Sequence, residues 1–524
     1  MTDLARYQDP LTIQRVLHTA STIAIVGLSD NELRASYFVG YYLRRHGYRV
    51  IPVNPRQTEI LGQKCYASLL DIPEPVDVVN VFRAPDALPG IARDAVAIHA
   101  GVLWCQFGVI NADGARIAFV GFDDQHQGYQ IHTLYVMNRD GTGRQPLTPK
   151  LDREIHRPVW SKDAAGIYFQ YDDHGTTRIG LVSLDGAVEP LAADLGGELF
   201  DRPYSGGSFT VAADGTLAFT QCSATRPADV AVRSRASKKS VRLTTLNDSL
   251  LGDRTLGEVE EIEFESSHDR RKIQGWVVKP PDFEAKKKYP LILEIHGGPY
   301  ANYGGRFSAE MQLYAAAGYV VIYINPRGST GYGEEFAQLI NNNYPGNDYD
   351  DLMSAVDAVA KRGFIDTDNL FVTGGSGGGV LTAWIVGKTA RFRAAVSCKP
   401  VINWYSHALT ADEYPFFTQY WFTGPPWEHT EEYMKRSPIS LVGNVTTPTM
   451  LLTGEEDYRT PISESEQYYQ ALKLRKVDTA LVRIPGSSHD IGARPSQIIA
   501  KTACILKWFE THRQRAAAGK RVRP

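Results

Sequence analysis

The 524-residue sequence is poor in cysteine, and its five cysteines (Cys65, Cys105, Cys222, Cys398 and Cys504) are scattered with no CxxC pair. An odd count without paired spacing argues against a disulfide framework and against a zinc or other metal site. It predicts reduced thiols in a cytoplasmic setting. An excess of one charge is missing too: 56 Lys+Arg against 59 Asp+Glu leave a net −3. Without a basic surplus, neither nucleic acid nor an anionic membrane surface is an expected partner. No stretch approaches ~18 uninterrupted apolar residues, so no membrane span is predicted. The opening MTDLARYQDPLTIQRVLHTA has no apolar core behind a basic cluster, and no secretory signal is read there. What is present is 43% hydrophobic and 22% charged residues, the balance of a globular protein with ample core. At ~150 residues per domain, the length suggests about three domains.

Three segments differ in texture. In residues 1–111, the apolar runs STIAIVG, YRVIPVNP, VDVVNVF and GVLWCQF alternate with the helical patterns SYFVGYYLRRHGY and PDALPGIARDAVAIHA, which predicts a doubly wound parallel sheet. In residues 112–254, the phrases DGARIAFVGFDD, DAAGIYFQYDD and DGTLAFTQC begin at Asp113, Asp163 and Asp214. A turn signal and an aromatic strand recurring at that spacing predict about three β-propeller blades, with a β-sandwich as the alternative. Residues 255–514 hold six apolar strands, each followed by a loop rich in Gly, Pro or charge, and predict a second, larger α/β sheet. Residues 515–524 read as a solvated basic tail.

The chemistry gathers in the third segment. Gly374-Gly375-Ser376-Gly377-Gly378 fits G-x-S-x-G between the strand NLFVTG and a helix expected near Val380. Such a turn lifts a serine hydroxyl above the sheet. A phosphate loop would need a following Lys-Ser or Lys-Thr, and Gly379-Val380 supplies neither. A nucleophilic serine needs a base and an orienting acid. Asp457 in TGEEDYRTP and His489 in PGSSHD follow the next strands, in the Ser–Asp–His order of α/β-hydrolases. Glu455, Glu456 and Asp490 are rival acids. His296-Gly297-Gly298-Pro299 follows the strand LILEI, where these enzymes place an oxyanion loop. The N–H groups of Gly298 and Gly377 are the expected donors. The predicted class is therefore α/β plus β, in the order Rossmann-like domain, incomplete propeller, α/β-hydrolase.

HGGP, NPRGSTGYGEEF, the NDYDDLMSAVDAV helix, GGSGGG, the aspartate loop and the SH followed by RPS resemble the prolyl oligopeptidase family of serine peptidases, in its acylaminoacyl-peptidase- and dipeptidyl-peptidase-like branch. The resemblance covers about 112–512. It implies a propeller capping a hydrolase, with Ser376 as nucleophile, Asp457 as orienting acid and His489 as base, and no cofactor required for catalysis. The implied substrate is a short peptide or acyl-peptide. The family commonly has an aromatic after the serine, whereas this chain has Gly377. By the same resemblance, Phe416, Phe417, Tyr420, Trp421 and Phe422 line the pocket for an apolar side chain or acyl group; a buried aromatic cluster is the alternative. A carboxylesterase of the same fold remains open, as does a CoA-responsive binding protein with an inactive hydrolase scaffold.

The first segment resembles CoA-binding domains related to the succinyl-CoA ligase α subunit, through IVGLSDNELRASY, YRVIPVNP, GQKCYASLLDIPEPVDVVNVF and LWCQFGVIN. The implied CoA contacts are Gly27, Ser29, Arg34, Ser36, Asn54 and Arg83, with an empty nucleotide-shaped fold as the alternative. NAD fits less well, because the turn is not G-x-G-x-x-G and the second strand ends in Asn54 rather than an acidic residue. Both neighbours look cut at the join. About three blades fall short of the usual ~4–8, and raw strand edges invite aggregation or a partner such as a second copy. A natural fusion, an engineered chimera and a mis-assembled gene are all compatible with the sequence.

Overall fold

The computed structural model describes residues 10–31, 34–83, 87–105, 109–110, 114–139, 142–237 and 239–514. The expected join at 111/112 and the basic tail 515–524 lie outside the described residues.

Four parallel strands form the first sheet, in the spatial order Arg49–Val53, Thr22–Val26, Val78–Val81, Val102–Cys105. Their β-branched runs are buried on both faces, as a parallel sheet between helices requires. Ala24, Val26, Ile51 and Val79 pack on one side with Ile91 of the helix Leu88–Ala97. Ile23, Ile25, Val50 and Val78 face the other side with Leu28 and Ile60.

Three consecutive antiparallel meanders of four strands follow. Their second strands, Arg116–Gly121, Gly166–Asp173 and Leu217–Ser223, are the aromatic phrases of the sequence repeat. Ala118, Leu134 and Val136 of the first meander pack against Ile155, Ile167 and Phe169 of the second. The second strand's alternation then turns Tyr168 to the other side, against Phe219 and Ala231 of the third meander. The bridge Leu195↔Gln221 joins the second and third meanders into one eight-stranded sheet.

The last domain is built on eight strands in the order Val259–Glu265, Lys272–Val278, Val320–Ile324, Tyr289–Ile295, Ile365–Gly375, Ala394–Cys398, Thr449–Gly454, Thr479–Ile484. The first pairs antiparallel with the second, and the second antiparallel with the third; the rest run parallel. The sequence reading found the six apolar strands and missed the leading pair. The first of these, VEEIEFE, alternates charge with apolar residues, as an edge strand with one wet face does. The meanders are fastened to this domain. Buried Arg306 donates to the carbonyls of Leu195 (3.1 Å) and Gly175 (3.0 Å) and to the Thr177 hydroxyl (2.5 Å).

Candidate active site

Ser376 caps the central strand Ile365–Gly375 at φ 58°, ψ −120°, and the helix Gly377–Lys388 begins immediately behind it. The helix therefore starts three residues earlier than the sequence reading placed it, because Ser376 is itself the capping position. A non-glycine residue there stores strain of roughly 1–3 kcal/mol, held by its surroundings. The Ser376 N–H donates to the Cys398 carbonyl at 3.0 Å, and the Ser376 carbonyl accepts from the Val380 N–H at 2.9 Å. Glycine at 378 is what lets the helix come so close, since a Cβ there would stand 2.0 Å from the Ile295 oxygen.

Asp457 and His489 come from the loops after the last two strands. His489 Nδ1 lies 2.8 Å from Asp457 Oδ2. The carboxylate also accepts from the N–H groups of Arg459 (3.0 Å) and Thr460 (2.9 Å) and from the Thr460 hydroxyl (3.0 Å). Burial pushes the Asp457 carboxyl up, but the His489 and Thr460 hydrogen bonds outweigh it and hold it below the ordinary range. Burial pushes the His489 imidazole below its ordinary value against the pull of Asp457, and the charges of Lys399 and Arg459 act in the same downward direction. The rival acids are engaged elsewhere or face solvent: Glu455 pairs with Arg483 (3.2 Å), Asp490 accepts from the Gly492 N–H (3.0 Å), and Glu456 is exposed.

The HGGP loop approaches the serine from the neighbouring strand. Burial drives the His296 imidazole down to about 4, so it is neutral. Its Nδ1 sits 2.7 Å from the Gly297 carbonyl oxygen, and its Nε2 sits 2.9 Å from the Ser329 hydroxyl. The single imidazole proton therefore belongs on Nδ1, because a carbonyl can only accept. In the trans Gly297–Gly298 peptide, the carbonyl and the following N–H point in opposite directions. With the carbonyl held by His296, the Gly298 N–H turns the other way. That nitrogen lies 3.2 Å from where a Cβ on Gly377 would be. The two expected donors thus stand side by side.

Ser376, Gly298, Gly377 and His489 line one cavity of about 350 Å³. Of the five aromatic candidates, Phe416, Phe417 and Trp421 line it, together with Val380, Val401 and Trp404. Tyr420 and Phe422 point elsewhere. Tyr420 donates to Asp124 Oδ2 at 3.1 Å and stacks on His126. Phe422 is buried, with its ring 3.7 Å from that of Tyr433 and under the Arg436 guanidinium. A π-helical turn at Phe417–Trp421 shifts the side-chain directions, which no spacing rule for α-helices anticipates.

Several cavity residues escaped the sequence reading, Lys399, Arg202 and Tyr204 among them. Lys399 Nζ donates to the His489 carbonyl at 2.6 Å, and burial pushes its ammonium down to about 8. Arg202 and Tyr204 arrive from the meander segment. Arg202 lies 3.1 Å from Glu294 and 3.2 Å from Glu310, while Lys501 bridges Glu310 (2.8 Å) and Asp201 (2.9 Å). The DRPYSGG stretch carrying Arg202 and Tyr204 has only the composition of a turn.

In the amino-terminal domain, the six proposed CoA contacts surround the carboxyl ends of the strands. Gly27 has φ 86°, and a Cβ there would lie 2.5 Å from the Phe82 carbonyl oxygen and 2.8 Å from Arg83 Cδ. Ser36 accepts from the Ser29 N–H (3.1 Å), Asn54 donates to the Leu28 carbonyl (2.9 Å), and exposed Arg34 caps the helix Ala35–Arg45. Among the described residues, no group of three or more His, Cys, Asp or Glu could hold a metal ion, and no helix is long and apolar enough to cross a membrane.

Comparison with known proteins finds two family matches on this chain. Residues 305–515 match the prolyl oligopeptidase family model, and residues 21–119 match a CoA binding domain model. An uncharacterized peptidase, YuxL, of Bacillus subtilis is 39% identical over 360 residues, 68% of this chain and 53% of its own length. Dipeptidyl-peptidase 5 of Aspergillus oryzae is 27% identical over 419 residues, 77% of this chain and 56% of its own. The chain therefore spans about half the length of these curated relatives. The crystal structure of Pyrococcus horikoshii acylaminoacyl peptidase superposes with a TM-score of 0.69 at 26% identity, over 79% of this chain and 64% of that one. The carboxy-terminal domain belongs to the prolyl oligopeptidase family, and a domain of the CoA-binding type precedes it on the same chain.

Proposed function

We propose that this chain is a serine peptidase that cleaves amide bonds of short peptides or acyl-peptides through an acyl-enzyme. The observation that carries the reading is the 2.8 Å His489–Asp457 contact opening onto the same cavity as a serine on a strained elbow. Ser376 Oγ attacks the scissile carbonyl while His489 Nε2 takes its proton and Asp457 steadies the imidazolium. The N–H groups of Gly298 and Gly377 receive the developing oxyanion. His489 then protonates the departing amine. Water, deprotonated by His489, releases the acid product. Val380, Val401, Trp404, Phe416, Phe417 and Trp421 favour an apolar or aromatic side chain, or an acyl group, beside the scissile bond.

In this reading, residues 112–254 are an incomplete propeller over the hydrolase of residues 255–514, and residues 1–111 are a CoA-binding-like domain. The match over 21–119 and the gathering of Gly27, Ser29, Arg34, Ser36, Asn54 and Arg83 support CoA as its ligand. Titration calorimetry should show saturable CoA binding that Arg34→Ala weakens; no heat at millimolar CoA would contradict it. The peptidase reading is tested on acyl-amino anilides, dipeptide anilides and short esters, with Ser376→Ala as the control. Anilide turnover lost in Ser376→Ala supports it. Turnover of esters alone would assign a carboxylesterase instead.

A further inference from the structure

The segment Leu199–Gly206 leaves the meanders and lines the active-site cavity before returning to them. Its backbone is sewn to the hydrolase: the Phe200 carbonyl accepts from Ala309, the Asp201 carbonyl from Glu310, the Pro203 carbonyl from Gly304, and the Ser205 N–H donates to Asn302. Its side chains are committed to the same face. Arg202 is buried between Glu294 and Glu310, and Asp201 meets Lys501. Tyr204 reaches furthest, its ring against Tyr303 at 4.7 Å and its hydroxyl accepting from the Gly297 N–H at 2.6 Å. That hydroxyl is also only 3.1 Å from where a Cβ on Gly297 would stand.

Gly297 is thus held from two sides. His296 fixes its carbonyl, as described above, and Tyr204 fixes its N–H. The His296 contact sets the plane of the peptide that carries the Gly298 N–H, and Tyr204 holds the preceding peptide plane, so the two clamp the Gly297 φ/ψ hinge between them. A residue flanked by glycine on one side, and itself without a side chain, has little else to fix that hinge. An oxyanion donor stabilises a transition state only if it is already aimed when charge develops.

We infer that Tyr204 is a positioning residue for the oxyanion loop, so that the capping segment contributes to the chemical step as well as to access. The inference rests on the proposed peptidase reading. The Tyr204 hydroxyl is bonded to the Gly297 N–H, and the role inferred for it acts through Gly297. Its loss should therefore fall on the transition state and spare ground-state binding.

The test uses the full chain and an acyl-amino anilide. Tyr204→Phe should lower kcat on the order of 10-fold to 100-fold, less than the ~10²–10³ seen when an oxyanion donor itself is removed. KM should stay within about 2-fold. Affinity for a peptide aldehyde, which forms a tetrahedral adduct, should fall in proportion to kcat/KM, while inhibition by the acid product stays at the wild-type level. Tyr204→Leu removes the ring as well and should lose stability, yet show the same ratio of aldehyde to product affinity. Wild-type kcat in Tyr204→Phe would overturn the inference. So would a loss that tracks melting temperature across the two variants, or one that weakens product and aldehyde equally. Labelling of Ser376 by a fluorophosphonate separates the two failures: a labelled serine with unchanged Tyr204→Phe kinetics sinks the Tyr204 role alone, and an unlabelled serine sinks the peptidase reading beneath it.

Discussion

Replacing Asp457 with asparagine should silence the enzyme without unfolding it, and the hydrogen-bond pattern says why. The carboxylate has four partners: the N–H groups of Arg459 and Thr460 at Oδ1, and the Thr460 hydroxyl and His489 Nδ1 at Oδ2. An asparagine carbonyl can replace Oδ1 and keep both backbone donors. Its amide nitrogen then faces the Thr460 hydroxyl, which can accept from it and donate instead to the Lys399 carbonyl 3.0 Å away. Only His489 is left with the wrong partner. A donor facing Nδ1 drives the imidazole proton to Nε2, the nitrogen that must receive the proton of Ser376. By precedent with such triads, the loss in kcat is on the order of 10⁴-fold, about 5 kcal/mol of transition-state stabilisation. Anilide hydrolysis and a thermal melt on the same sample give both readouts. The expected result is near-complete loss of turnover with a small shift in melting temperature. Turnover within 10-fold of wild type would refute the assignment, as would an equal loss in Glu456→Gln or Asp490→Asn.

Three further outcomes follow from the same structure. The base must be neutral to act, and burial together with Lys399 and Arg459 lowers the His489 imidazole, so the acid limb of kcat/KM should fall below pH 6.5. Lys399→Met should move that limb upward; a limb that stays put would show that the Lys399 charge is not felt there. Lys501 neutralises Glu310 in a site where their side chains are 5% and 0% exposed. Lys501→Met should cost roughly 3–5 kcal/mol in urea unfolding, because it strips one partner from a buried charge; a cost under about 1 kcal/mol would mean that Arg202 suffices. If the meanders shield the site only partly, a short anilide and reduced casein should be cleaved with weak discrimination, and strong exclusion of casein at full anilide activity would contradict the incomplete cap.

Local residue patterns carry much of this structure. The strand runs around Ser376, Asp457 and His489 are continuous, apolar and followed by loop residues, and all three side chains sit where a parallel sheet exposes its strand ends. The repeat of about 50 residues is legible because each meander carries the same turn-and-aromatic phrase in its second strand. Other features depend on contacts distant in sequence. The strand VEEIEFE is defined by its partner Lys272–Val278 and reads as charged surface when taken alone. Arg202 and Tyr204 matter through Glu294 and Gly297, more than 90 positions away, and a turn-like heptapeptide gives no hint of either. Phe422 leaves the π-helical turn Phe417–Trp421 in extended conformation, and its ring is placed by stacking on Tyr433, eleven positions on.

The central claim is that Ser376 is an activated nucleophile, and covalent labelling addresses it most directly. The purified chain is treated with a fluorophosphonate and digested, and the adduct is located by mass spectrometry, with Ser376→Ala and His489→Ala treated in parallel. The account predicts a single stoichiometric adduct on Ser376, absent from Ser376→Ala and formed far more slowly in His489→Ala. No adduct on the folded wild-type chain, or one that forms at the same rate without His489, would contradict it.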